Sequence, residues 1–190
     1  MNQPVSLKRT SALLFLLFAA AMMLGACGSD DGSSSKNDSV GANADMGPVR
    51  IVEDNGRVYT IDDLKITGAK TPKQYDVTDL PGAVDAWNII FNQKDYEVRL
   101  YPSHADAIAQ GTSWAEGATG EDAVVVGSDV MWEEGAKDRR QCNRSVAHSG
   151  CNYTAHYGDF VIIGNMILMC EGPNSEEAFI VCNALLEQLG

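Results

Sequence analysis

Four residues close together in the chain have the atoms to hold a metal. Cys142, His148, Cys151 and His156 are spaced C-x5-H-x2-C-x4-H, and their sulfur and nitrogen donors are those that tetrahedral zinc takes. The spacing follows no familiar zinc-finger form. The same two cysteines could instead close a disulfide, and a sulfur in a disulfide is no longer a thiolate ligand. An oxidising compartment would favour the disulfide. No metal site is therefore expected, and zinc on these four residues is the alternative. A second candidate site is Trp132 with Arg139 and Arg140, which lie just before Cys142. Guanidinium forks grip carboxylates and other anions bidentately, so an aromatic beside two arginines could form an anion site. The competing reading is that the arginines pair with acids in a very acidic chain.

Nucleophilic chemistry finds little support. Gly111-Thr-Ser113-Trp-Ala115 misses the G-x-S-x-G pattern at its last place, and it falls inside an expected helix instead of a strand-to-helix elbow. H-E-x-x-H, a phosphate-binding loop, a dinucleotide fingerprint, an EF-hand loop and C-x-x-C are all missing from the sequence. Three histidines are a thin supply for acid–base work. Adjacent acids such as Asp62-Asp63, Glu133-Glu134 and Glu176-Glu177 point mostly apart and read as solvated surface. No enzymatic activity and no cofactor are expected.

The elements that must position these residues can be read from periodicity and turn chemistry. Arg50–Asp54 and Arg57–Ile61 flank Asn55-Gly56, a pair suited to a type I′ turn, and predict a hairpin. Asp62-Asp63-Leu64 can start a short helical turn. Leu80, Ala83, Val84, Trp87 and Phe91 recur at helical spacing, and with Thr78 or Asp79 as cap and Pro81 in the first turn they predict a helix over 79–92. Tyr96–Tyr101 alternates and predicts a strand, with Tyr96, Val98 and Leu100 on one side. Ser103 with Asp106 starts a helix to about 116, whose small face is Ala105, Ile108, Ala109 and Thr112. Ala123–Val126 reads as a short strand. Residues 127–157 read as a long irregular segment, of the kind that is usually functional or cross-linked. Phe160–Cys170 is very apolar, and Gly164-Asn165 predicts a buried hairpin. Asn174 or Ser175 caps a last helix over 175–189. Its core face is Ala178, Phe179, Cys182, Leu185, Leu186 and Leu189.

The beginning of the chain carries a different signal. Lys8 and Arg9 precede the apolar run Ala12–Leu24, which at about thirteen residues is the size of a signal-peptide core and short for a membrane span. Leu24-Gly25-Ala26-Cys27 follows and resembles the lipobox of bacterial lipoproteins. The resemblance covers residues 1–27 and no more. It implies cleavage after Ala26 and a diacylglyceryl group on the Cys27 thiol. Residues 1–26 are then a signal peptide. Gly28–Gly47 is a polar, Ser-, Gly- and Asp-rich tether, and residues 48–190 form one domain. Gly28 is not the aspartate that retains lipoproteins at the inner membrane of enteric bacteria, so the outer membrane is favoured in a diderm.

Five cysteines are present. With Cys27 lipidated the count becomes even, which in an exported domain reads as two disulfides. Cys142 with Cys151 closes a short loop. Cys170 ends a core strand and Cys182 lies on the buried face of the next helix, so those two are expected to pair. The expected fold is α+β: a mostly antiparallel sheet with three helices, near 79–92, 103–116 and 175–189, on one face, and two disulfides. Its element order loosely resembles a ferredoxin-type sandwich.

The net charge of −12 becomes more negative once Lys8 and Arg9 leave with the signal. Such a surface repels nucleic acid. The function expected is that of a membrane-anchored envelope lipoprotein, a non-catalytic binding or assembly accessory with an envelope protein as partner. A small-ligand binder, for an anion or a metal, is the alternative. A hydrolase has the least support.

Overall fold

The computed structural model describes residues 49–141 and 153–190. Cys27, the Cys142–Cys151 pair, His148 and residues 1–48 lie outside the described residues. Six strands form one sheet among the described residues, in the order β1-β5-β6-β4-β3-β2. They are β1 (Val52–Glu53), β2 (Lys70–Gln74), β3 (Asp85–Phe91), β4 (Lys94–Leu100), β5 (Tyr157–Ile163) and β6 (Met166–Glu171). Every pairing is antiparallel except β1 with β5, which is parallel. The fold is α+β with a mixed, mostly antiparallel sheet.

The helices are α1 (Ile61–Ile66), α2 (His104–Asp106) running through a π-helical turn (Ala107–Gly111) into α3 (Thr112–Glu116), and α4 (Ser175–Leu189). The middle three pieces are continuous, so there are three helices among the described residues. They do not share a face. Helices α1 and α4 pack with Tyr96, Val98, Leu100, Val161, Met166 and Leu168 on one side of the sheet. The α2–α3 helix packs with Tyr157, Phe160, Ile162, Ile167 and Met169 on the other. Strands β5 and β6 are therefore covered on both faces and read as a continuous apolar run, as centrally buried strands do. A sandwich with helices on one face, as the sequence suggested, is corrected to a sheet covered on two.

Two further expectations fail for local reasons. The segment expected as a helix over 79–92 is a turn followed by β3. Trp87, Ile89 and Phe91 alternate toward the α4 side, while Ala86 packs with Tyr75 and Trp132 on the other. Period two and period 3.6 cannot be told apart over so short a run. The β3–β4 hairpin turns on Asn92 and Gln93, both at positive φ (50° and 65°), the primed-turn geometry that matches sheet twist.

The hairpin expected around Asn55-Gly56 is also not formed. A turn is there, held by Gly56 N–H to Asp54 Oδ1 at 3.0 Å and Arg57 N–H to Asn55 Oδ1 at 3.1 Å. The strand before it pairs with β5, and the residues after it lead into α1, which opens on a Thr60–Asp63 capping box. Ala123–Val126 is irregular and not a strand.

The π turn re-aims the middle helix. Ala107, Gly111 and Ala115 are its buried residues, instead of the expected Ala105, Ile108, Ala109 and Thr112. The helix does lie close to the sheet, but through Gly111 and not through the residues expected. A Cβ on Gly111 would come to 2.5 Å from Ile167 Cδ1 and from the Tyr101 hydroxyl.

The β5–β6 hairpin forms as expected, with Gly164 and Asn165 as its two turn residues. Asn165 is buried and ties two other segments to the turn. Its Oδ1 accepts from Tyr59 N–H at 2.6 Å, and its Nδ2 donates to the carbonyls of Tyr59 at 3.2 Å and Tyr101 at 2.7 Å. Asn165→Ala strands those buried backbone groups and is expected to cost about 2 kcal/mol. Urea unfolding reads this as a lowered midpoint at unchanged slope.

Helix α4 is capped by Asn174, whose side chain accepts from Glu177 N–H at 3.0 Å. Its face carries Cys182 onto β6, and Cys170 and Cys182 are disulfide-bonded. No described helix is long and apolar enough to cross a membrane.

Candidate functional site

Strand β4 alternates, and this places Glu97 and Arg99 on the side away from α4. Both are buried, as are Arg139 and Trp132. Glu97 joins two arginines: its Oε1 accepts from Arg99 Nε at 2.8 Å and its Oε2 from Arg139 Nε at 2.7 Å. Arg139 also donates to the carbonyls of Trp132 at 3.0 Å and Glu134 at 2.9 Å. Both guanidiniums lie near the Trp132 ring, with Arg139 Cζ 4.3 Å and Arg99 Cζ 5.3 Å from its centroid. Both are within cation–π range. Tyr75 meets the same indole edge-on at 5.7 Å.

The charges set the titration of this cluster. Burial alone would raise the Glu97 carboxyl, but Arg139 and then Arg99 outweigh it and hold the group below its ordinary value. Burial first, and the Glu97 charge second, push the hydroxyls of Tyr75 and Tyr157 upward. Beside Arg99, Trp132 and Arg139 lies a cavity of about 10 Å³, also lined by Trp114, Val125 and Met131. That is room for one water-sized molecule. Arg99 Nη1 and Trp132 Nε1 are buried there with no hydrogen-bond partner. The arrangement clamps the irregular 130–141 segment onto the sheet. Arg139 is committed to Glu97 and to two backbone carbonyls, and Arg99 to Glu97 through Nε, and the space beside them is too small for a carboxylate or phosphate.

A second cluster sits where three neighbouring strands meet one end of the sheet. Asp95 is near the start of β4, Glu171 ends β6, and His156 directly precedes β5. His156 Nε2 is 3.1 Å from Asp95 Oδ2 and 4.0 Å from Glu171 Oε2. Glu171 is fixed by Lys94 Nζ at 2.9 Å and by Asp95 N–H at 2.9 Å. The three side chains are half-buried, and their ligand atoms all lie within 4.8 Å of one another, a spread that could hold a metal ion.

Residues 60–190 match the model of a family of unknown function, DUF6810. The chain belongs to that family. No curated protein and no solved structure matches it. The DUF6810 match takes in every side chain of both clusters. Cys27 and β1 precede it.

Of the residues singled out from sequence, the structure brings Trp132 and Arg139 together, but around Glu97 and Arg99, which had not been connected with them. Arg140 Nε reaches the Ala136 carbonyl at 3.4 Å, and its backbone bridges to Ala155. His156 faces Asp95 and Glu171, while its three partners in the zinc alternative, Cys142, His148 and Cys151, lie outside the described residues. His104 is in the first turn of its helix, with Nδ1 2.7 Å from the Gly164 carbonyl. Ser113 lies in α3 and is exposed.

Glu97, Arg99, Asp95 and Glu171 were missed as site residues. Arg99 and Glu97 had a signal, since two charged residues alternate with Tyr96, Val98 and Leu100 in a strand that turns out to be central. Asp95 and Glu171 become neighbours only through the β4–β6 register, in which Tyr96 pairs with Cys170. Nothing local announces that pairing.

Proposed function

We propose that the chain is a lipoprotein of the bacterial cell envelope. In this reading Cys27 holds it to a membrane, and its domain is a non-catalytic binding or assembly accessory. The observation that carries the proposal is the order of signals from Lys8-Arg9 through Ala12–Leu24 to Leu24-Gly25-Ala26-Cys27, followed at once by the polar tether. Two acyl chains on one cysteine anchor stably where one is marginal, since each buried methylene contributes about 0.8 kcal/mol. The buried Cys170–Cys182 disulfide supports an oxidising compartment.

The non-catalytic part is supported by the buried cluster around Glu97. Glu97, Arg99 and Arg139 hold one another, and Ser113 is an exposed helix residue. Within the small-ligand alternative, the size of the cavity beside Arg99 weakens the anion version. The acidic surface supports a protein partner over nucleic acid.

Mass spectrometry of the mature protein tests the anchor. A diacylated N-terminal Cys27 is expected, with release from membranes in a Cys27→Ser variant. An unmodified Cys27 would end the lipoprotein reading. Pull-down from detergent-solubilised membranes is expected to recover a stoichiometric envelope partner.

A further inference from the structure

The cluster at the end of β4, β6 and β5 has the chemistry of a metal site with three protein ligands. We infer that Asp95, His156 and Glu171 bind a divalent first-row transition ion, of which zinc is the prototype. As a statement of what the domain binds, this rests on the binding role proposed above. One imidazole nitrogen with two carboxylate oxygens is a donor set that suits such ions.

The spacing is close to what an ion would impose. Metal–ligand bonds of about 2.0–2.2 Å around a tetrahedral ion place neighbouring ligand atoms roughly 3.3 Å apart. The His156 Nε2–Asp95 Oδ2 distance of 3.1 Å and the His156 Nε2–Glu171 Oε2 distance of 4.0 Å bracket that value. Small side-chain shifts bring all three atoms onto one centre.

The supports of the ligands are also in place. Glu171 receives Lys94 Nζ on Oε1 and Asp95 N–H on Oε2. A carboxylate oxygen with two lone pairs can keep an N–H and still face an ion, and such outer bonds orient metal-binding carboxylates. The His156 backbone is pinned on both sides. Its N–H donates to the Arg139 carbonyl at 2.8 Å, and its carbonyl accepts from Gly172 N–H at 3.3 Å. The ring packs edge-on against Tyr157 at 5.1 Å. Asp95 and Glu171 thus stand on strands, which hold a site more closely than loops do, and His156 is tied to the sheet's end by its backbone bonds.

The cluster brings two carboxylates to the imidazole, and Lys94 is bound to that of Glu171. The side chains keep 19%, 20% and 25% of their exposure, so solvent reaches the centre and can complete the coordination with water. Three protein ligands and an open position is the pattern of ions that exchange or meet a further ligand, unlike closed structural sites.

The test is calorimetric titration of zinc chloride into the chelator-washed, detergent-solubilised full chain. One ion per chain is expected, with affinity at least tenfold weaker in Asp95→Asn and in Glu171→Gln and lost in His156→Ala. Cobalt in place of zinc is expected to give visible absorption that the His156→Ala variant lacks. Thermal melts of each variant without metal check folding, and zinc is expected to raise the melting temperature of the parent chain but not of Asp95→Asn. Absence of zinc binding, or binding equal in parent and His156→Ala, overturns the site. The membrane pull-down run on the same preparation keeps the two proposals apart. A partner recovered without any zinc response removes the metal site and leaves the envelope role standing.

Discussion

Glu97→Ala is expected to lower unfolding stability by about 3–5 kcal/mol, the usual cost of removing one partner from a buried ion pair. The reason is arithmetic of charge. Glu97 accepts from both Arg99 and Arg139, all three side chains are almost wholly buried, and the arginines cannot shed their protons. Without the carboxylate, two buried guanidiniums are left beside Trp132 with no counterion between them. Urea unfolding at neutral pH measures the loss. A change below about 1 kcal/mol, the range of an exposed pair, would show that the triad is not held by Glu97.

The same group predicts an acid response. Its folded pKa lies below the ordinary carboxylate value, so the unfolded chain takes up the proton first as pH falls. The stabilisation is complete above the ordinary range of about 4.3 and is lost as pH falls through the folded value. Urea midpoints for the parent chain are expected to drop in that acid window, with a flatter profile for Glu97→Gln, which has no charge to lose.

Removing the Cys170–Cys182 bond is the second large effect. The cysteines are separated by 12 positions, and opening a loop of that length returns about 3 kcal/mol of entropy to the unfolded chain. Both sulfurs are buried, so reductant is expected to act only through unfolding. Thermal melts with and without dithiothreitol should separate by many degrees, while native protein keeps the bond during brief exposure to reductant. The double variant Cys170→Ala/Cys182→Ala should melt well below the oxidised parent, because it loses the bond and also leaves a cavity. A melt unchanged by reductant would mean that the bond contributes nothing beyond packing.

How far the sequence could be read depended on how local each signal was. Helix α4, with its Asn174 cap, its apolar face and Cys182 on that face, was legible because every part lies within one stretch of chain. So was the Gly164-Asn165 hairpin. The β3 segment was misread because Trp87 and Phe91 satisfy both a helical and an alternating pattern, and the turn that decides between them is Asn92-Gln93 rather than a glycine pair. The buried face of the α2–α3 helix was misassigned because a π turn shifts the register in a way no propensity shows. In the site, Trp132 and Arg139 could be paired by nearness in sequence. Their counterion Glu97, far away in the chain, could not. Asp95, Glu171 and His156 come together through strand order alone, which is a property of the whole sheet.

The parallel edge strand β1 has a mechanical meaning. It pairs with β5 through Val52 and Glu53 only, with Ile162 N–H donating to the Ile51 carbonyl and Gly164 N–H to the Glu53 carbonyl. Just before it, Arg50 grips Asp159 at 2.8 Å and lies 3.9 Å over the Phe160 ring. A pull on the chain ahead of Val49 therefore meets Arg50 first, and β1 only after that grip opens. Because the load reaches β5, at the centre of the sheet's apolar core, through the Arg50 guanidinium and a ladder only two residues long, β1 can peel away as a fuse. The six-residue α1 and the rest of the domain stay folded behind it, held at the Gly164-Asn165 turn by the Asn165 side chain.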